Sequence, residues 1–259
     1  MTVTIAEEVE ATTRRTTLRR RSATRRPSPW WLLVAASALV LLLVLAVMGV
    51  WWMVSSETRI ATYRVLGTLT AIELELGPAD VEIVGGARAV EVRRTDEFAF
   101  GRGPEESRAL TGRVFRIRSR CSDPVIGTCR SAYRIAVPDN VSLRIGTSSG
   151  SVTMTGVNGS ARIGTGAGSI TVASFCGFSL SAASSSGDVH TAADCSPERL
   201  ELRSAGGDVR ADVPAGRYQV EAVSDAGTVR VDGVTIAEDA TFQIEAVSAG
   251  GDVIVEGLR

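Results

Sequence analysis

The hexapeptide SAGGDV occurs twice, at Ser204–Val209 and Ser248–Val253, and near-copies stand at Ser184–Val189 (SSSGDV) and Ser224–Val229 (SDAGTV). Followed along the chain, the pattern places a glycine at Gly150, Gly168, Gly187, Gly207, Gly227 and Gly251, at intervals of 18, 19, 20, 20 and 24 residues. A period near 20 marks a repeat architecture, in which one unit cannot bury its apolar face alone and must stack on its neighbours. Two residues after each glycine come Val152, Ile170, Val189, Val209, Val229 and Val253. Seven before come Leu143, Ala161, Leu180, Leu200, Val220 and Ile244, and five before come Ile145, Ile163, Ala182, Leu202, Ala222 and Ala246. Alternation by two on both sides of the glycine means strand, corner, strand, with one face buried.

Three residues before the glycines stand Thr147, Thr165, Ser184, Ser204, Ser224 and Ser248. A hydroxyl beside a tight corner can bond the turn's own backbone. The glycine is expected to supply a backbone conformation that side chains disfavour. The chain therefore predicts a mainly β protein, a parallel β-solenoid of about 20-residue coils over residues 70–259, with neighbouring strands ~4.8 Å apart. An earlier coil is legible at Ile72–Ile83 (IELELGPADVEI), with Ala79 where glycine would stand. Residues 85–138 interrupt the series. Within them GRVFRIRSR and RSAYRIAVP alternate like strands joined by CSDPVIGTC, which predicts an inserted hairpin over 113–137.

The glycines suit a corner better than a ligand loop. GTGAGS at Gly164–Ser169 lacks the lysine and following helix of a phosphate loop. Asp188, Asp208 and Asp252 follow their glycines, but Ser151, Ser169 and Thr228 take that place elsewhere, and the interval is twice that of calcium-binding β-rolls.

Four cysteines add two crosslinks to this register. Cys121 and Cys129 flank the expected hairpin loop. Cys176 and Cys195 each lie eight residues beyond a corner glycine, Gly168 and Gly187. Stacked coils bring such positions to about 4.8 Å, inside the ~4.4–6.8 Å Cα range of a disulfide. Metal ligation is disfavoured because no CxxC and no patterned histidine accompany them.

Ahead of the repeats, Trp30–Val54 is a 25-residue uncharged apolar run, flanked by Trp30–Trp31 and Trp51–Trp52. A bilayer core of roughly 30 Å needs about 20 helical residues, and indole rings favour its two interfaces. A cleaved signal would have a shorter apolar region, of about 7–15 residues, and a small-residue cleavage site. Residues 1–29 hold seven Arg against three Glu, among them Arg14, Arg15 and Arg19–Arg21, so positive residues precede the span. The expectation is a disordered basic cytoplasmic tail over 1–29, a single-pass transmembrane helix over 30–54, a juxtamembrane linker over 55–69 and an extracytoplasmic solenoid over 70–259. RRRSATRR around Ser22 is read as a topology signal, with phosphorylation or anionic-lipid binding as the alternative.

The β part is nearly devoid of acid–base chemistry. His190 is the one histidine of the chain, and aromatics make up 5%. No catalytic residue, cofactor or metal site is expected. The cationic residues that do cluster are Arg113, Arg116, Arg118, Arg120, Arg130 and Arg134, in and beside the expected hairpin. They form a candidate anion-binding patch, weighed against a solvated face balanced by acids elsewhere.

The period, the [ST]-x-x-G-[DST]-[VI] corner and the anchor resemble the putative-adhesin β-strand-repeat family of bacterial membrane proteins, a family of largely unknown function. The resemblance covers about residues 70–259 and implies surface interaction, with no catalytic residues to carry over. Three functions compete for such a chain: a surface-exposed, non-catalytic binding or scaffold module; an envelope sensor or regulatory subunit; and a polysaccharide-degrading solenoid. The last lacks a cluster of acids and bases. Expected partners are the bilayer, an anionic envelope polymer or another membrane protein, and no nucleic acid. The last coil in the sequence, through Val253 and Val255, is expected to leave an open end capable of weak self-association.

Overall fold

The computed structural model describes residues 29–54, 56–99, 103–121 and 129–258. The expected disordered tail and most of the CSDPVIGTC loop lie outside them. In chain order the elements are α1 (Pro29–Val54), β1 (Ser56–Val65), β2 (Ala71–Val84), β3 (Val90–Ala99), β4 (Glu105–Thr111), β5 (Val114–Arg120), β6 (Cys129–Ala136), β7 (Ser142–Ser149), β8 (Val152–Thr155), β9 (Ala161–Thr165) and β10 (Ile170–Phe175). They continue as β11 (Ser179–Ser184), β12 (Val189–Ala193), β13 (Arg199–Ser204), β14 (Val209–Pro214), β15 (Arg217–Ser224), β16 (Val229–Asp232), β17 (Thr235–Ile236), β18 (Phe242–Ser248) and β19 (Val253–Leu258). The chain divides into two compact units, one ending at Gly49 within α1 and one over Val50–Arg259 that holds the β part. Within the helix, Trp30–Trp51 has a mean hydropathy of 2.9 and no buried side chain.

The β unit is the expected parallel solenoid. Each coil runs up one sheet, turns at the corner and returns in a second sheet. In the front sheet, before the corner, Leu143 pairs with Ala161, Ala161 with Leu180, Leu180 with Leu200 and Leu200 with Ile244. In the back sheet, Val152 pairs with Ile170, Ile170 with Val189, Val189 with Val209 and Val209 with Val253. Positions equivalent in the repeat are therefore neighbours in space. Their apolar side chains form one continuous core, with Val152, Ile170, Val189, Val209 and Val253 fully buried.

Three expectations need correction. The segment GRVFRIRSR…RSAYRIAVP is not a hairpin. β5 pairs parallel with the first half of β2 (Ile72 opposite Phe115), and β6 pairs parallel with its second half (Val81 opposite Tyr133). It is a further coil whose corner is enlarged by the cysteine loop. Its alternation is that of any half-buried strand, so alternation alone could not decide the pairing partner. Residues 55–69 are not simply a linker: β1 adds antiparallel to β3, which itself pairs antiparallel with β6. Ala61, Tyr63 and Val65 alternate with the exposed Thr62 and Arg64 there, and the edge of β3 supplies the free backbone groups.

The third correction concerns coil order. The last coil in the sequence is not the last in the stack. β18 pairs with β13 on one side and β15 on the other, and β19 lies between β14 and β16. Val253 and Val255 are fully buried. The open end is the coil of β15 and β16, where Val229 is 46% exposed and Val223 41%. The two verbatim SAGGDV segments are thus direct neighbours, Ser204 opposite Ser248 and Val209 opposite Val253.

Candidate functional site

The corner motif works as a ladder between coils. Ser204 Oγ accepts the Gly207 N–H at 2.9 Å and donates to the Gly187 carbonyl of the next coil at 2.8 Å. Ser248 does the same with Gly251 and Gly207, and Ser224 with Gly227 and Gly251. Each hydroxyl closes its own corner and ties it to a neighbour, which only a short donor–acceptor side chain can do at this distance. The glycines serve the expected purpose at two of the six corners. Positive φ occurs at Gly150 (120°) and Gly168 (142°), whereas Gly187, Gly207, Gly227 and Gly251 show none. What all six share is close approach: a Cβ on Gly187 would sit 2.2 Å from the Gly168 carbonyl oxygen, and one on Gly251 2.6 Å from that of Gly207.

The aspartates after the glycines are likewise structural. Asp188 Oδ1 accepts the Asp208 N–H, Asp208 Oδ1 accepts the Asp252 N–H, and Asp252 Oδ1 accepts the Thr228 N–H, at 2.7–2.9 Å. The Thr228 backbone bond, followed by its hydroxyl, holds the Asp252 carboxyl below its usual pKa. Both cysteine pairs are disulfides: Cys121–Cys129 spans the enlarged corner, and Cys176–Cys195 joins neighbouring coils with Cα atoms 4.8 Å apart.

The six candidate arginines do not form one patch. Arg116 and Arg118 lie on the outer face of the front sheet, and each is bonded to a carboxylate of the adjoining strand, Glu73 and Glu75. Arg130 and Arg134 belong to the back sheet and pair with Asp80 and Glu82 at 3.7 and 3.3 Å. Arg113 donates to the Thr68 carbonyl, and Arg120 is exposed with no ion pair among the described residues. The balancing acids sit on β2, some 40 residues or more from their partners in sequence, which is why counting charges inside the segment missed them.

A different cationic pair stands out. One outward row of the front sheet reads, strand by strand, Arg116, Glu73, Arg144, Arg162, Ser181, Glu201, Glu245 and Glu221. Arg144 sits opposite Arg162, and both are exposed. Arg144 reaches only Glu73, at 4.0 Å, and that carboxylate already holds Arg116. Arg162 has no ion pair among the described residues. Both line an open groove with Ser142, Ser160 and Ser179, and Glu73 and Glu201 stand at the same groove. Like charges placed opposite each other in a sheet are destabilising, and an anion in the groove would relieve that. The sequence signal was available: Arg144 and Arg162 each precede a buried isoleucine five residues before a corner glycine.

His190 Nε2 donates to Asp212 at 2.9 Å, and Asp212 also receives Arg210, which in turn reaches Glu256. This is an ionic chain across three coils of the back sheet. Its contacts account for the histidine without a nucleophile.

The end of the stack next to β5 and β6 is closed by a buried polar network that sequence reasoning did not find. Arg94 Nε donates to Asp96 at 2.6 Å, and Arg94 Nη1 to Glu106 at 2.7 Å. Asp96 also accepts the Ser131 hydroxyl, and Glu106 accepts the hydroxyl of Tyr133 and the guanidinium of Arg108. Arg94 and Asp96 are buried, as is the Glu106 side chain. Burial alone would raise the Glu106 pKa, but the bonds from Arg108 and Tyr133 and the Arg94 charge outweigh it and hold the carboxyl below its usual value. Burial, with the Glu106 charge adding, pushes the phenol of Tyr63 up.

Solved structures similar to the chain include a putative cell adhesion protein from Clostridium sporogenes, with 12% identity over 78% of this chain and 100% of that one, at a TM-score of 0.45. A putative adhesin from Bacteroides fragilis shows 10% identity over 79% and 98%, also at 0.45. A putative lipid binding protein from Parabacteroides distasonis shows 15% over 80% and 98%, at 0.31. No curated protein sequence matches the chain. The family model described as Toastrack DUF4097 matches residues 138–256, the run from the loop before β7 into β19. That stretch, somewhat under half of the chain, carries the corner ladders and stacked coils described above, and in it the chain is similar to the Toastrack family, a β-repeat family of unknown function.

Proposed function

We propose that the protein is a non-catalytic, adhesin-like binding module held at a membrane by α1, with the solenoid on the extracytoplasmic side and the front sheet as its anion-binding face. The observation that carries the binding role is the Arg144–Arg162 pair, set opposite each other beside a serine-lined groove and short of carboxylate partners. Neighbouring strands β7 and β9 set the two guanidinium groups ~4.8 Å apart, a spacing that suits adjacent anionic groups of one extended chain, and the row turns acidic beyond Ser181, which confines the site to this pair. The anchor is supported by the 22-residue run Trp30–Trp51, about 33 Å of helix at 1.5 Å per residue, against a hydrocarbon core of ~30 Å. The arginines ahead of it support an inward N-terminus.

The test uses the full chain in zwitterionic vesicles, titrated with polyphosphate and, separately, with polyglutamate. Binding should weaken with salt. The double variant Arg144→Ser/Arg162→Ser should lose about tenfold in affinity, roughly the worth of one or two exposed charge contacts. Arg116→Ser/Arg118→Ser should lose little, because those charges are already paired. Preference between the two polymers separates a phosphate source from a carboxylate one. Unchanged affinity in the Arg144/Arg162 variant overturns the site. Orientation is read independently from Thr58→Cys, whose thiol should react with an impermeant reagent in intact cells; reaction only after lysis reverses the topology.

A further inference from the structure

The open end of the stack presents an incomplete coil. At this end β15 and β16 each have a paired side, toward β18 and β19, and one that is unpaired among the described residues, apart from the short β17 against Arg217–Tyr218. Val220, Ala222 and Val231, whose equivalents elsewhere are buried core, are here only partly covered, and Val229 is exposed. Unpaired strand edges over apolar core are a template for another strand, and solenoids ordinarily cover them.

The charges on β16 indicate what fits. The Thr228 carbonyl accepts the Val253 N–H, so by alternation the main-chain groups of Thr228, Arg230 and Asp232 face β19. Those of Val229 and Val231 face the free edge. A second copy related by a two-fold axis would lay its β16 antiparallel on this edge, the self-complementary arrangement of an isologous dimer. Registers that keep inward side chains inward must centre on a residue. Centred on Arg230, the register sets two guanidinium groups face to face. Centred on Asp232, it sets two carboxylates face to face. Centred on Val231, it joins Val231 to Val231 of the partner subunit within one core, lets their outward main-chain groups bond each other, and sets Arg230 opposite Asp232 of the partner subunit, twice over. Within one chain these two side chains lie 3.8 Å apart and are largely exposed.

We propose that the β15–β16 end is a homodimerisation surface, with β16 pairing antiparallel about Val231 and Arg230 bound to Asp232 of the partner subunit. The association closes at two copies, because the core at the far end is sealed by antiparallel strands and the buried Arg94–Glu106 network.

Sedimentation equilibrium of the full chain in detergent micelles tests it. The wild-type chain should dimerise with concentration. Arg230→Asp places carboxylates against Asp232 of the partner subunit, and Asp232→Arg places guanidinium groups against Arg230 of the partner subunit; each should weaken the dimer about tenfold or more. The swap Arg230→Asp/Asp232→Arg should restore it to within about threefold, since it recreates both pairs. Both side chains are exposed, so thermal unfolding should stay close to wild type in every variant. A monomer throughout the range to ~100 µM overturns the proposal, since an interface that weak is worth under about 6 kcal/mol. So does association insensitive to both reversals, which would place it in α1, and so does failure of the swap to restore what the single reversals remove.

Discussion

The two ends of the solenoid solve the same problem in opposite ways. A stack of parallel coils must finish somewhere, and at each finish apolar core and unpaired backbone meet water. At the β5–β6 end the chain adds antiparallel strands, β4 on the front sheet and β3 with β1 on the back sheet. It fills the space between them with Arg94, Asp96, Glu106 and the hydroxyls of Ser131 and Tyr133. At the β15–β16 end it adds only the two-residue β17 and leaves valines at the surface. The difference teaches that the repeat itself carries no stop signal. Sealing an end takes non-repetitive sequence, here β1, β3 and β4, which lie on either side of the repeat coil of β2 in the chain.

The largest effect is expected at the sealed end. Glu106→Ala takes one of two carboxylates from the buried Arg94, which keeps Asp96, and leaves the Tyr133 hydroxyl without its acceptor; it should lower stability by about 3 kcal/mol, the worth of buried hydrogen bonds to a charged group. Glu75→Ala, at the exposed pair with Arg118, should cost under ~1 kcal/mol. The Glu106 pKa is depressed in the folded state, so its contribution is present above its unfolded value of ~4.3 and is lost as pH falls through the folded value. Urea midpoints of wild type and Glu106→Ala should therefore differ most near neutral pH and converge in acid. Equal sensitivity at both pH values would remove the carboxylate from the seal.

A matched pair of core truncations compares interior and open end directly. Val255→Ala, in a fully buried coil, should cost about 2–3 kcal/mol, the transfer term plus a cavity. Val231→Ala, at the equivalent position of the end coil, should cost under ~1 kcal/mol when measured on dilute protein, because its side chain is already partly wet. A Val231 cost that grows with protein concentration would show that something covers that end.

The smallest effect is a gain. Thr191 is fully buried between Val172 and Ala211, and its hydroxyl has no partner among the described residues. Thr191→Val keeps the shape and removes an unsatisfied group, which should raise stability by about 1 kcal/mol. A loss on thermal unfolding would mean that the hydroxyl is satisfied in solution.

Much of the interior was legible because parallel coils give equivalent positions equivalent neighbours. Leu180, Leu200 and Ile244 share a period and therefore share a row. Cys176 and Cys195 were readable as a bond for the same reason. The β5–β6 coil was not, because its corner glycine is replaced: Ser131 stands opposite Ala79, and the cysteine loop lengthens the turn. Ser119 keeps the corner hydroxyl position opposite Leu76, a single residue too few to identify a coil. The anion patch was misread because ion pairs in a solenoid form between coils, so the acids that neutralise Arg116 and Arg130 lie outside the segment that contains them.

The sequence by itself determined the coil: its period, its buried faces, its hydroxyl-and-glycine corner, its cysteine register and the apolar helix ahead of it. All of these depend on local spacing, which every coil repeats. The order of the coils was decided only in the tertiary structure. Any coil offers the same parallel edge and the same glycine carbonyl to the next, so local pattern cannot distinguish Gly207 followed by Gly227 from Gly207 followed by Gly251. The stack takes the second arrangement, and β18–β19 fill the place between β13–β14 and β15–β16. That choice rests on how whole coils match and how the connection over residues 233–241 returns, and these are non-local properties with no periodic signature.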